Sequence, residues 1–110
     1  MEAIASPDDP DSVPGFIRDY LQEAPKRLEA LDAAAAAGDA ARLRAEAHNL
    51  KGSSSYMGAA RLVKVCAALE TAARAGDVSA AVGQVTCVRA EFARAAVALN
   101  EYVASQPGVA

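Results

Sequence analysis

The chain has 110 residues, a formal net charge of −3 and a pI of about 5.0, and its hydrophobic content is 53%. This length fits one domain with a modest core, and the core must be thin because 29 of the residues are alanine. The acidic charge balance and the lack of tryptophan argue against nucleic acid or an anionic membrane as the partner.

Neither a membrane span nor a signal peptide is expected in this sequence. No apolar run approaches the roughly 18 residues of a membrane span. The first letters, MEAIASPDDPDS, lack the basic-then-apolar order of a signal peptide, so we expect a cytoplasmic protein. There Cys66 and Cys87, which form no CxxC motif, are expected to be reduced and to occupy helical core positions. With one histidine and no cysteine cluster, we expect no metal site.

The N-terminal part predicts a tail followed by a long helix. Residues 1–12 are polar and proline-bearing, and Asp11 or Ser12 is the expected helix cap, with Pro14 in the first turn, where its missing N–H does no harm. The apolar residues that follow recur at steps of three and four and form one helix face: Ile17, Leu21, Ala24, Leu28, Leu31 and Ala35. Pro25 interrupts this face, and we expect it to bend the helix or to break it in two.

Two short corners with the same letters separate the next helices. AAGDA at 36–40 and RAGDV at 74–78 each contain a glycine that can end one helix and an aspartate that can cap the next. Between them the sequence predicts one helix over 40–55 and another over 59–75. The expected core face of the first consists of Leu43, Ala47, Leu50 and Ser54. That of the second consists of Leu62, Val65, Cys66, Leu69 and Ala73.

The last predicted helix runs from Val78 to about Val103 and has the most regular pattern. Its apolar residues repeat about every 3.5 residues, which excludes a strand: Val78, Ala81, Val85, Val88, Phe92, Ala95, Leu99 and Tyr102. The closing letters SQPGVA end it and leave residues 106–110 as a tail. We therefore predict an all-α protein, an antiparallel up-down-up-down four-helix bundle over residues 13–105, because such short connections force neighbouring helices to run antiparallel. Its continuous polar faces favour a monomer.

The stretch AHNLKGSSSYMG, residues 47–58, contains the only histidine and weakens a helix that alanine otherwise favours. Beside the core face, an exposed stripe is expected to carry Arg44, His48, Lys51, Gly52 and Ser55. Glycine inside a helix costs about 1 kcal/mol relative to alanine, so Gly52 and Ser55 indicate that space beside the imidazole is required. The Lys51 ammonium suits a phosphoryl oxygen. We take Arg44, Gly52 and Ser55 as candidate partner-docking residues.

Glu70 is the predicted partner of His48. Folding antiparallel about a turn near Met57 and Gly58 places His48 within one helical turn of Glu70. The carboxylate would then accept a hydrogen bond from the ring nitrogen that carries the proton. The other ring nitrogen would be left free as a nucleophile. The simpler alternative is that Glu70 pairs with Arg74, four residues further along the same helix.

The residues from His48 to Glu70, HNLKGSSSYMGAARLVKVCAALE, resemble the histidine phosphotransfer (HPt) domains of bacterial and plant phosphorelays. That family has a His, then a Lys and a Gly three and four residues on, small residues, a Gly-Ala, and a Leu-Glu or Leu-Gln about 22 residues after the His. The likeness extends over nearly the whole chain and includes the proline within the first helix. No position of the motif departs from the family pattern.

The resemblance implies a four-helix domain that carries a phosphoryl group on the outward ring nitrogen of His48. Lys51 would steady that group, Glu70 would orient the ring, and Gly52 would permit close docking. Such domains pass the group to or from the aspartate of a response-regulator receiver domain, or take it from a hybrid sensor histidine kinase. We expect no cofactor on this chain, since the receiver brings the Mg²⁺, and no autonomous kinase activity.

Two other functions stay open on the sequence. The phosphoacceptor region of a histidine kinase normally has an acidic residue after the histidine and a proline a few positions on, whereas Asn49 and Leu50 follow here and the next proline is Pro107. A scaffold or inhibitor that binds a receiver or kinase without accepting phosphate fits the same residues. The intact motif makes this second alternative less favoured.

Overall fold

A computed structural model of the protein describes residues 13–105. Four helices make up nearly all of this part of the chain: α1 (Val13–Ala37), α2 (Ala40–Tyr56), α3 (Ala60–Arg74) and α4 (Val78–Ala104). Each packs on its neighbour in sequence, and α1 also packs on α4, which closes the bundle. The predicted all-α antiparallel four-helix bundle is confirmed, and the described residues contain no strand.

The corners between helices follow the predicted chemistry. Gly38 and Gly76 adopt positive φ angles of 64° and 77°, the left-handed conformation that ends a helix with little strain only for glycine. The Asp39 carboxylate accepts the backbone N–H of Arg42 at 3.1 Å, and the Asp77 carboxylate accepts that of Ala80 at 3.1 Å. Each aspartate thus satisfies one of the unpaired donors at the start of a helix.

The core is a single cluster built from the predicted faces. On α2 all four predicted residues are completely buried, and on α3 Leu62, Cys66 and Leu69 are too. On α1 the buried face is rotated slightly, so that Tyr20 and Ala34 are buried while Leu21 and Ala35 are half-buried. A hydrogen bond of 2.8 Å between the Tyr20 hydroxyl and Ser54 Oγ lies inside this core and joins α1 to α2. Burial raises the pKa of Tyr20, so its hydroxyl remains neutral.

The long α4 is buried over only part of its length. Ala81, Val85 and Val88 are buried, but Phe92 and Leu99 are half-buried and Tyr102 is exposed. The reason is helix length, because α3 has 15 residues and α4 has 27. Beyond the level at which α3 begins, α3 no longer covers the apolar stripe of α4.

Pro25 lies inside α1, which continues through it as one helix. Of the two predicted effects, the break is therefore excluded. A proline removes one N–H donor and crowds the preceding turn. Ala24 and Leu28 on either side of it are buried against the core, and this packing holds the helix together across the defect.

The predicted tails, residues 1–12 and 106–110, lie outside the described residues, as do the proposed caps Asp11 and Ser12. Pro14 is the second residue of α1, in its first turn as expected. None of the helices in residues 13–105 is long and apolar enough to cross a membrane.

One prediction about the cysteines is wrong. Cys66 is completely buried, but Cys87 is exposed, because the rotation of α4 that buries Val85 and Val88 turns residue 87 towards solvent. Burial raises the pKa of the Cys66 thiol to about 12, so it is neither accessible nor ionised near neutral pH.

A thiol-reactive dye should therefore distinguish the two cysteines. In the folded protein Cys87 is expected to react within seconds to minutes, and Cys66 only after unfolding, since reaction needs an accessible thiolate. The measurement is the absorbance released per mole of protein with and without denaturant, and Cys87→Ser is the control. A rapidly reacting thiol in folded Cys87→Ser would contradict the prediction.

Candidate functional site

The exposed stripe of α2 carries the candidate site. Because Leu43, Ala47, Leu50 and Ser54 are all completely buried, the rotation of α2 about its axis is fixed. That rotation turns the His48 ring outward, with 66% of its side chain exposed. Of the other stripe residues, Arg44, Gly52 and Ser55 are exposed and Lys51 is half-buried. The predicted stripe is thus assembled as expected.

The Glu70 carboxylate on α3 joins the stripe to the next helix. Glu70 Oε2 lies 3.0 Å from His48 Nδ1, and Glu70 Oε1 accepts a hydrogen bond of 2.7 Å from Lys51 Nζ. Only 7% of the Glu70 side chain is exposed. The carboxylate therefore lies beneath the stripe and contacts both His48 and Lys51.

The simpler alternative for Glu70 also holds. Arg74 Nη2 donates to Glu70 Oε2 at 3.2 Å, so the two pairings that the sequence left as alternatives coexist on one carboxylate. The hydrogen bond from Lys51 to Glu70 was not predicted from the sequence, which suggested only a phosphoryl group as the partner of Lys51. The signal was present, because Lys51 lies three residues after His48 on the same stripe and so faces the same point of α3.

The ionisation of Glu70 decides which ring nitrogen of His48 carries the proton. The hydrogen bond from the Lys51 ammonium lowers the pKa of Glu70; burial opposes this, and the bond to His48 adds to it. An ionised carboxylate can only accept hydrogen bonds. Nδ1 of His48 therefore donates to Glu70, and Nε2 keeps a free lone pair that points away from the carboxylate.

The surroundings of the ring are positively charged. A hollow of about 430 Å³ beside His48 is lined by Arg44 and Arg74, among others. With Lys51, three cationic side chains surround one carboxylate, so the site carries a surplus of positive charge. Such a surplus favours an anionic ligand or an acidic partner surface.

Gly52 is not required by the packing of this chain. A Cβ built on it meets no atom within 4 Å, and its backbone is helical. The space beside His48 is therefore open on the outside of the bundle. Among the described residues, no three His, Cys, Asp or Glu side chains are grouped as metal ligands would be.

Fold and site together define a class: a four-helix bundle with an exposed histidine that is hydrogen-bonded to a buried carboxylate of the next helix. A family model, the Hpt domain, matches residues 15–98, and the chain belongs to this family. Membership gives it a histidine phosphotransfer role in two-component signalling, in which Hpt domains interact with receiver domains and kinases.

A solved structure supports the same assignment. The chain is similar to histidine-containing phosphotransfer protein B (HptB) from Pseudomonas aeruginosa PAO1, with 34% sequence identity and a TM-score of 0.80. The match covers 83% of this chain and 79% of that one. A comparison with curated proteins gave no significant match.

The Glu70 cluster generates a prediction for acid stability. The pKa of Glu70 in the folded protein is below its ordinary value of 4.5, so its contribution to stability is present above that pH and is lost as the pH falls through the folded pKa. At neutral pH, Glu70→Gln should lower the free energy of unfolding by about 1–3 kcal/mol, since charged hydrogen bonds are lost. The difference from wild type should shrink as the pH falls below 4.5 and through the folded pKa of Glu70.

Urea unfolding followed by far-UV circular dichroism at several pH values measures this difference. Glu101→Gln, which changes an exposed carboxylate on α4, is the matched control and should leave the stability close to that of the wild type. A stability gap for Glu70→Gln that does not change with pH would show that the charge of Glu70 is not what stabilises the cluster.

Proposed function

We propose that His48 Nε2 is the phosphoacceptor of a phosphorelay, which takes a phosphoryl group from, or returns it to, the aspartate of a response-regulator receiver domain. The observation that supports this most directly is the pair of bonds at Glu70, which keep the Nδ1 proton in place and leave Nε2 nucleophilic. The exposed ring gives a large partner access to that nitrogen.

The transfer forms one bond to phosphorus and breaks another. The Nε2 lone pair attacks phosphorus and forms the N–P bond, while the acyl O–P bond of the aspartyl phosphate breaks and the aspartate leaves as a carboxylate. Because Nδ1 keeps its proton, the phosphorylated ring is a cation, which the Glu70 carboxylate at 3.0 Å stabilises. In the reverse direction the same proton makes the imidazole a neutral leaving group, so the step is reversible.

Lys51 can donate to the phosphoryl group without leaving Glu70. An ammonium group has three N–H donors, and the bond of 2.7 Å to Glu70 uses one of them. The others are free to donate to phosphoryl oxygens. Lys51 is thus a candidate catalytic residue by contact with the transferred group, and Glu70 is a positioning residue that acts through both His48 and Lys51.

Three residues are proposed to contact the partner. Arg44 adds positive charge that would face the acidic, Mg²⁺-containing pocket of a receiver. Gly52 and Ser55 have small side chains, so they leave space for the partner beside the ring. A hybrid sensor histidine kinase is the proposed source of the phosphoryl group. The charge of the site suits an acidic partner surface in both cases.

Phosphate labelling tests the assignment directly. After incubation with a receiver domain that carries labelled phosphate, the protein should acquire acid-labile, alkali-stable label. Since the chain has a single histidine, such label belongs on His48. The variant His48→Gln should take up none, which autoradiography after electrophoresis measures.

The same experiment separates the alternatives. Label in His48→Gln at the wild-type rate would overturn the proposed phosphoacceptor. Stable binding of a receiver that survives His48→Ala, with no label in either protein, would indicate a scaffold or inhibitor instead. Self-labelling with ATP alone would indicate a kinase.

Two glycines in exposed helix positions provide a matched test of the docking surface. Gly52→Ala and Gly83→Ala should each raise the free energy of unfolding by up to about 1 kcal/mol, because alanine is the better helix former and an added Cβ meets no atom at either site. Only Gly52→Ala should slow phosphotransfer with a receiver, since its methyl group lies where the partner must approach. Equal transfer rates in the two variants would remove Gly52 from the docking surface.

A further inference from the structure

A groove of about 430 Å³ runs between α1 and α2, on the flank of α2 opposite Glu70. It begins at Asn49, directly after His48 in the chain, and ends at Tyr56 and Met57. Its floor is low because Ala24 is small and the Ser53 side chain bends back to donate to the carbonyl of Leu50 at 3.2 Å. The groove is therefore a continuous extension of the surface around the reactive ring.

The far end of the groove is aromatic. The rings of Phe16 and Tyr56 meet edge to face with their centroids 5.7 Å apart, and Met57 lies beside them. Despite this contact, 71% of Tyr56 is exposed. An exposed aromatic residue that is held by a second ring can bury a large area on binding with little loss of side-chain entropy. Tyrosine is also enriched among hot-spot residues, which contribute most of the binding free energy of an interface.

Charge is segregated along the same surface. The end near His48 is basic, through Arg44, Lys51 and Arg74. The α1 wall of the groove carries Asp19, then Glu23 one turn on, and then Arg27, whose guanidinium pairs with Glu46 at 3.2 Å. Glu23 is engaged with Lys26 at 3.3 Å. Asp19 makes no ion pair with any residue in the described range 13–105. The groove thus presents an acidic side chain that can take a basic side chain of a partner.

The size of a protein interface connects these features to His48. Along α2, Tyr56 lies eight residues beyond His48, about 12 Å at 1.5 Å per residue. A standard interface of about 800 Å² per partner, if circular, extends about 16 Å from its centre. A partner centred on the ring therefore covers the whole groove.

We infer that the α1–α2 groove is the specificity site for the receiver domain that docks on His48, and that it binds an apolar side chain at the Phe16–Tyr56 end and a basic side chain beside Asp19. The inference rests on the proposed function. The groove would give the partner a second contact region, away from the reacting atoms. The acidic Asp19 in this region is opposite in charge to the basic surface around His48. Two anchors of opposite charge fix the orientation in which the partner docks, and so distinguish one receiver from another.

Two phosphoryl donors of different size test the inference. The first is the phosphorylated receiver domain that transfers fastest to the wild type in a panel of receivers, and the second is phosphoramidate, a small molecule that needs no docking. Tyr56→Ala and Asp19→Lys should each lower kcat/KM with the receiver, by about tenfold for Tyr56→Ala, mainly through KM. Neither variant should change the rate with phosphoramidate.

Matched controls come from α4, outside the groove. Tyr102→Ala also removes an exposed tyrosine, and Glu101→Lys makes the same change of charge as Asp19→Lys. Both should transfer from the receiver at the wild-type rate. Circular dichroism of all four variants verifies that the bundle is intact.

Each outcome has one reading. Wild-type transfer from the receiver in both groove variants overturns the inference and leaves the proposed function standing. Equal losses with both donors also overturn it, because the groove then acts on His48 itself, and so does a change of oligomeric state in Tyr56→Ala, which would assign the groove to a second copy of the chain. A wild-type protein that accepts label from phosphoramidate but from no receiver overturns the proposed function, and the inference with it.

Discussion

The Glu70 carboxylate is the group on which the site depends. It is almost fully buried, and a charge in that position requires hydrogen-bond donors to offset the loss of hydration. Lys51 and Arg74 supply two of these donors and His48 the third. The buried charge is therefore compensated only when α2 and α3 are in the register that also brings Glu70 to His48 Nδ1.

This arrangement separates the tasks of holding the ring and exposing it. The support lies on α3, beneath the stripe, and Nε2, the proposed phosphoacceptor, lies on the opposite edge of the exposed ring. Small residues on the core faces, such as Ala47 and Ala73, let α2 and α3 approach closely enough for a glutamate side chain to span the gap. The alanine-rich composition thus contributes to the contact between Glu70 and His48 as well as to helix formation.

The outer surface of α2 is asymmetric in a way that suits a partner with a defined orientation. On the α3 side the ring is surrounded by positive charge, and on the α1 side an apolar groove with an acidic wall leads away from it. Gly52 lies on the open surface between these flanks, where the chain itself has no need for a glycine. Gly52 and the exposed Tyr56 are not part of the buried core, which is why we propose that they serve recognition.

The sequence by itself determined the four helices, their capped corners and the face of α2 that carries His48, because periodicity, glycine and aspartate act through local geometry. It did not determine that α1 continues through Pro25, that Cys87 is exposed, or that Lys51 and Arg74 share the carboxylate with His48. Those outcomes depend on the rotation and register of one helix against another. Only the tertiary structure decided them, because the competing contacts differ by small free energies that packing across the bundle settles.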